Sequence, residues 1–442
     1  MNPGARLQAA IEILEQSFTA PIASDAIADA YFRRRRYAGS GDRRAVQARV
    51  FGVLRRKVRL EWHIRRVSAL PPSPRALALA DVIVGERSGA EEAARLFGAS
   101  TYTPAPLTED ELVLARALQD RVLDDPAMPD PVRFEYPAWL ETSLRAAFGK
   151  RLEVEMSALN RQAPLDLRIN LSKGTREAAR AALAADGVAT DPTPLSPWGL
   201  RVKNSVRIGG TNAFKQGLVE VQDEGSQIVA ALVGAEPGMT VVDYCAGAGG
   251  KTLALAAAMS RQGKIEGRLI ACDTSAERLK RMTTRLTRAD AENVRRIFLG
   301  DEKDPVLEGL ANAADRVLLD VPCSASGAWR RDPLGKWRLS PERLDQYTGS
   351  QRHILDTAAA LVRPGGRLVY ATCSVLPEEN EAQVAAFLAR DDTFQVVPIA
   401  RAWGETLGGT PPVGNQFLRL SPAASGTDGF FAAVLERSPP GR

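Results

Sequence analysis

From residue 221 onward the chain alternates short apolar runs with stretches of helical periodicity, and five of the apolar runs end in an acid, a cysteine or both. These runs are MTVVDYC, RLIACD, VRRIFLGD, DRVLLDVPC and GGRLVYATC. Strands separated by crossover helices predict a parallel, doubly wound sheet of the α/β class. In such a sheet the carboxyl ends of the strands share one edge, and ligands bind there. Asp243 and Cys245 close the first run, Asp273 the second, Asp301 the third, Asp320 and Cys323 the fourth, and Cys373 the fifth. That edge is the candidate site.

The remainder of the chain reads differently. Leu7, Ile11, Leu14 and Phe18 recur at helical spacing, and residues 1–135 predict an all-helical module. The run DDPAMPDPVRFEYP, 124–137, carries four prolines and reads as a linker. Short alternating segments such as LDLRIN and LRVK make 136–220 a small α+β insert, with 221–442 as the main domain. A length of 442 residues accommodates this organisation. The N-terminus lacks a signal-type apolar core and no apolar run reaches the roughly 18 residues of a membrane span. A cytoplasmic location is therefore expected.

Cys245, Cys272, Cys323 and Cys373 are widely spaced and form no C-x-x-C pair, so no metal site is expected. With His63 and His353 the sole histidines, a Ser-His-Asp or Cys-His hydrolase has little to work with. Cys245 and Cys272 read as small buried hydrophobes. A reactive cysteine here must be activated by something other than histidine.

The loop after the first run, CAGAGGKT, resembles a phosphate-binding loop. The Walker pattern G-x-x-x-x-G-K-S/T, however, requires a glycine where this chain has Cys245. The spacing G-x-G-x-x-G of dinucleotide sites is also missing. Gly247, Gly249 and Gly250 still permit close backbone approach, and Asp273 at the next strand end suits a ribose, unless it merely caps the following helix. A nucleoside cofactor without phosphates fits best, and S-adenosylmethionine is the common one.

The fourth run ends in DVPCS rather than the Asp or Asn followed by Pro-Pro and an aromatic that is typical of amino-group methylation. Carbon 5 of a pyrimidine is a poor nucleophile until a thiolate adds at carbon 6. Asp320, Cys323 and Cys373 supply what that chemistry requires. Thirteen Arg or Lys between Arg33 and Arg66 face only Asp42 and Glu61, with aromatics interleaved, which is the texture of an RNA-binding surface. A net charge of +5 agrees with an anionic partner.

DYCAGAGGKT, GD at 300–301, LLDVPCSASGAWRRDP with KW at 336–337, VYATCSVLPEENE and DGFF together resemble the RsmB/Nop/Sun family of RNA 5-methylcytosine methyltransferases. The resemblance runs from about Tyr136, through VQDEGSQ, to the end. RAVQARVFGVLR in the helical module is more loosely similar to NusB-like RNA-binding domains. Together these imply a Rossmann-like class I methyltransferase preceded by a NusB-like domain and acting on bacterial 16S rRNA; a monomer is expected. By this resemblance Cys245, Ala246, Gly247, Ala248, Gly249, Gly250 and Lys251 surround the methionine end of the cofactor. Asp273 lies on the ribose, Asp301 near the adenine, and Asp320 between cofactor and cytosine. It also implies that Cys373 is the nucleophile and Cys323 assists release; the reverse assignment stays open, since DNA cytosine methyltransferases use the cysteine of their Pro-Cys motif. Candidate RNA contacts are Arg33, Arg34, Arg35, Arg36, Arg330, Arg331 and Lys336. Ala248 and Tyr244 depart from the usual proline and leucine of the family. A non-catalytic RNA-binding factor with a degenerate methyltransferase fold is the alternative, and the intact cysteine pair argues against it.

Overall fold

The computed structural model describes residues 1–98, 100–204, 206–300, 305–412 and 416–439. They divide into two compact units: Met1–Arg161 with Trp329–Leu339, and Gln162–Ala328 with Ser340–Arg442. The first unit is helical. Its principal helices are Pro3–Thr19, Ser24–Arg34, Ser40–Arg55, Lys57–Val67, Pro74–Ala80 and Glu109–Leu118. Asn2 caps the first by accepting Ala5 N at 2.7 Å, with Pro3 preset for the opening turn. Thr108 and Glu111 form a reciprocal capping box on the last. Leu7, Ile11 and Leu14 pack with Val46, Val50, Leu60 and Ile64 in one core.

That unit extends beyond the proline run at 124–137. Glu135 is fully buried and accepts Val58 N at 3.2 Å and Arg59 N at 3.0 Å, satisfying the open amides at the start of helix Lys57–Val67. The division accordingly falls at Arg161. Segment Trp329–Leu339 also belongs here. Leu334 lies in the helical core, Trp337 packs against it, and Arg338 donates to the carbonyls of Ser17 and Ala20 at 2.9 and 3.1 Å.

The second unit opens with four antiparallel strands, β1 (Asp166–Ile169), β2 (Thr190–Pro192), β3 (Gly199–Val202) and β4 (Val219–Val221), in the order β2-β3-β1-β4. Next come β5 (Thr240–Asp243), a two-stranded ribbon of β6 (Ser260–Arg261) and β7 (Lys264–Ile265), β8 (Arg268–Asp273), β9 (Arg295–Phe298), β10 (Ala314–Asp320), β11 (Val362–Thr372), β12 (Phe394–Val397), β13 (Leu418–Leu420) and β14 (Phe430–Arg437). The large sheet runs β12-β14-β11-β10-β5-β8-β9, with β13 also paired to β14. Strands β9, β8, β5, β10 and β11 are mutually parallel, and β14 is antiparallel to β11.

Why the central strands read as continuous apolar runs is visible in their alternation. Val241, Leu269, Ala271, Leu318 and Val369 enter one hydrophobic cluster. Val242, Ile270, Cys272, Val317, Leu319 and Leu368 enter another. A parallel sheet covered on both faces has no polar side to declare, and each fully buried aliphatic contributes about 1.5 to 3 kcal/mol. Cys272 is thus a core residue. Order reverses at β5, whose neighbours β8 and β10 lie on opposite sides, and a crevice forms at such a switch point. No helix among the described residues is long and apolar enough to cross a membrane.

Candidate active site

The loop leaving β5 is shaped by its glycines and by Asp273. Gly249 has φ 86°, and a Cβ there would stand 2.5 Å from Met282 Cγ, so no larger residue fits. Asp273 accepts Gly247 N at 2.8 Å on one oxygen and Ser275 N at 2.7 Å on the other. Ser275, not Asp273, caps helix Ala276–Ala289. The carboxylate therefore ties two strand-end loops together.

A cavity of about 390 Å³ opens above this loop, lined by Cys245, Ala246, Gly247, Ala248, Gly250, Lys251 and Asp320. Of the residues expected around a cofactor, Gly249 and Asp273 are not part of that lining, and Asp301 falls outside the described residues. Asp243, already placed on this edge by the strand-end rule, also lines the cavity, as do Gln222, Ser226 and Arg285, which the sequence alone did not single out as site residues. Arg285 holds the loop by donating to Ala248 O at 2.7 Å. The motif VQDEGSQ marked Gln222 and Ser226 without assigning them a role.

Two buried ionisable groups and their partners set the local field. Lys251 Nζ lies 2.6 Å from Asp320 Oδ2 and 5.4 Å over the Phe430 ring. Burial pulls the Lys251 ammonium down, but the Asp320 charge and hydrogen bond outweigh it and leave the pKa raised. Asp243 is fully buried and accepts Thr252 Oγ1 at 2.7 Å, while its Oδ1 has no partner among the described residues. Burial, aided by the charges of Asp320 and Asp273, pushes its carboxyl up to about 7 against the pull of Thr252 and Lys251. Burial, then the Asp243 and Asp320 charges, also drives the Cys245 thiol well up, which disfavours its thiolate.

Strand β10 pairs with β11 in parallel, Asp320 opposite Ala371, so the segments leaving both strands emerge side by side. Cys323 and Cys373 meet there with their sulfurs 3.4 Å apart. The hydrogen bond to Cys373, then burial, then the Cys373 and Glu379 charges raise the Cys323 thiol well above its ordinary range. Gly327 N donates to Cys373 O at 2.9 Å and fixes the second loop against the first. Ser324, Ser374, Gln351, Glu379 and Asn380 surround the pair, and none was singled out from sequence.

The basic residues divide by exposure. Arg33, Arg34 and Arg36 are exposed at the C-terminal end of helix Ser24–Arg34. Arg35 is held by Glu12 at 3.0 Å and lies 3.7 Å over the Tyr31 ring. Arg331 is exposed, but Arg330 and Lys336 are buried within the helical unit, contrary to the expectation of phosphate contacts. Lys336 donates to Asn160 at 2.6 Å, and burial lowers its pKa to about 8. Much of the positive excess between Arg33 and Arg66 is matched in space by acids distant in sequence. Glu86 pairs with Arg49, Asp81 with Arg56, and Glu135 with Arg59.

Sheet order, glycine loop and strand-end acids together define a Rossmann-like, S-adenosylmethionine-dependent methyltransferase. The chain belongs to the 16S rRNA methyltransferase RsmB/F family, whose methyltransferase domain matches residues 230–436, while residues 136–209 match the ferredoxin-like domain of RsmF/B-like methyltransferases. Ribosomal RNA small subunit methyltransferase B of Salmonella arizonae is 33% identical over 416 residues, spanning 89% of this chain and 90% of its own length. The protein of the same name from Pasteurella multocida is 34% identical over 68% of this chain and 65% of its own. A crystal structure designated PH0851 superimposes with a TM-score of 0.77 at 26% identity, covering 99% of each chain.

Asp243 supplies a test of these electrostatics. Its folded pKa of about 7 lies above the ordinary 3.8, so its contribution to stability is fully present below pH 3.8 and is lost as pH rises through 7. Asp243→Asn keeps an acceptor for Thr252 and cannot ionise. Urea unfolding of both proteins from about pH 4 to 7.5 should show the variant gaining on the wild type by roughly 2 to 4 kcal/mol across that range. A difference that stays constant with pH contradicts the burial of an ionisable Asp243.

Proposed function

We propose that this enzyme transfers a methyl group from S-adenosylmethionine to carbon 5 of a cytosine in 16S rRNA, through a covalent bond between Cys373 and the base. The observation that carries this reading is the Cys323–Cys373 contact at 3.4 Å, at the sheet edge that also holds the Lys251–Asp320 pair.

The cavity residues suit the cofactor. Lys251 is already matched by Asp320, so the loop has little positive charge to offer a triphosphate. Asp243, whose Oδ1 has no partner among the described residues, lines the same cavity and suits the ammonium of a methionine group. When bound, the cofactor supplies an electrophilic methyl group on sulfur.

The chain's own residues then act in turn. Cys373, as thiolate, bonds to carbon 6 and moves ring electrons toward carbon 5, which takes up the methyl group. Lys251, within reach of the Cys373 charge, offsets the negative charge displaced into the ring. Cys323 keeps its proton while the Cys373 thiolate stands beside it. Bonding of Cys373 to carbon takes its hydrogen bond and its charge away from Cys323, leaving burial and the Glu379 charge, and Cys323 then gives its proton to water. It then takes the proton from carbon 5; those C–H electrons restore the 5,6 double bond as the C–S pair returns to Cys373. RNA is held by exposed Arg33, Arg34, Arg36 and Arg331.

Denaturing gels with cofactor and 16S rRNA separate the cysteine roles. Cys323→Ala should accumulate a band shifted by bound RNA, whereas Cys373→Ala should give neither the band nor methylation. The opposite pattern inverts the assignment. For the helical unit, Arg33, Arg34 and Arg36 changed together to Glu should weaken RNA binding and reduce its salt slope by about 0.7 to 0.9 for each phosphate no longer neutralised. An unchanged slope removes these arginines from the RNA surface.

A further inference from the structure

Each of the two cysteines lies between neighbours that are held from behind. Gln351, on helix Pro341–Ala359, donates to Pro322 O at 2.9 Å and to Glu379 Oε1 at 3.0 Å. Glu379 also accepts Ser324 N at 2.8 Å and Ser324 Oγ at 2.5 Å. The residues before and after Cys323 are thus fixed by one side-chain pair, and both members are fully buried. On the other loop, Asn380 accepts Thr372 Oγ1 at 2.6 Å and donates to Ser374 O at 3.0 Å, which fixes both neighbours of Cys373. Two adjacent residues, Glu379 and Asn380, therefore clamp the two cysteine loops. Ser324 Oγ and Ser374 Oγ close the gap at 3.2 Å.

A buried carboxylate is an expensive way to hold a loop. Among the described residues Glu379 has no ion-pair partner, only the three donors and, at its main-chain oxygen, Tyr370 OH at 2.6 Å. Its geometry serves a demand that a merely packed residue does not meet: Cys323 must stay beside Cys373 after that sulfur has bonded to the base.

Resting on the covalent reading above, we infer that Glu379 is a positioning residue for product release, holding Cys323 against Cys373 so that proton removal from carbon 5 follows methyl transfer. Its charge also contributes to the raised Cys323 thiol. Loss of Glu379 leaves Cys373, Lys251 and the cofactor cavity in place, so attack and methyl transfer proceed and release stalls. Glutamine retains an acceptor for Ser324 N and Gln351, and its amide can donate to Ser324 Oγ. The conservative variant should therefore rescue.

The test uses the full chain with S-adenosylmethionine and transcribed 16S rRNA, reading turnover, cofactor affinity by calorimetry and the RNA-shifted band on denaturing gels. Glu379→Ala should lose at least about tenfold in turnover, keep cofactor affinity within about twofold, and accumulate at least about fivefold more adduct than wild type. Glu379→Gln should recover at least about half the lost turnover with no excess adduct. Gln351→Leu, which frees Pro322 and removes a buried oxygen that has no partner among the described residues, gives the second variant and should raise the adduct in the same direction even if the alanine variant misfolds. A loss of turnover with no excess adduct in either variant, while Cys323→Ala shows its band, overturns the role of Glu379. Absence of the band in Cys323→Ala as well overturns the covalent reading itself, and the inference with it.

Discussion

The parallel pairing of β10 with β11 is the constraint on which the site depends. Residues 323 and 373 are fifty apart in the chain, yet the register that sets Asp320 opposite Ala371 delivers both cysteines to one point, with their sulfurs 3.4 Å apart. Parallel strands need a crossover, and helix Pro341–Ala359 supplies it. The same helix contributes Gln351, so the element that closes the topology also braces the loop that carries Cys323. Strand β5, paired on the other side of β10, sets the glycine loop and Lys251 within ion-pair distance of Asp320.

Burial gives these groups their character. Lys251 and Asp320 satisfy each other, whereas Asp243 keeps one oxygen without a partner among the described residues and its carboxyl is pushed up to about 7. Two thiols in contact cannot both ionise cheaply, since like charges at such a distance repel strongly in a low-dielectric site. The raised Cys323 thiol follows first from that neighbour, then from burial and the Glu379 charge. In the proposed reaction the pair would couple the protonation of one sulfur to the covalent state of the other.

The central sheet was legible because its strands are buried on both faces. MTVVDYC, RLIACD, DRVLLDVPC and GGRLVYATC are nearly uninterrupted apolar runs, and each ends in a residue able to carry chemistry. The strand-end rule then located Asp243, Asp273, Asp320, Cys323 and Cys373 on one edge. What escaped was the role of side chains whose partners are remote. In PEEN at 377–380 nothing local distinguishes Glu379, fully buried, from its neighbours. WRRDP and KW supply candidate RNA contacts in the sequence, yet Leu334 and Trp337 belong with the helical core and Arg330 and Lys336 are buried. The charge count from Arg33 to Arg66 overstates the unpaired positive charge in the same way, because Glu12, Asp81, Glu86 and Glu135 lie outside the counted window. Periodicity reports burial well, but it does not report which distant acid meets which arginine.

Peptide mass spectrometry of the wild-type enzyme trapped on 16S rRNA containing 5-fluorocytidine is the most direct measurement of the central claim. Fluorine at carbon 5 cannot leave as a proton does, so the adduct persists after methyl transfer. The account predicts a nucleotide attached to the tryptic peptide carrying Cys373, with Cys323 unmodified. Attachment at Cys323, or no adduct at either cysteine, contradicts it.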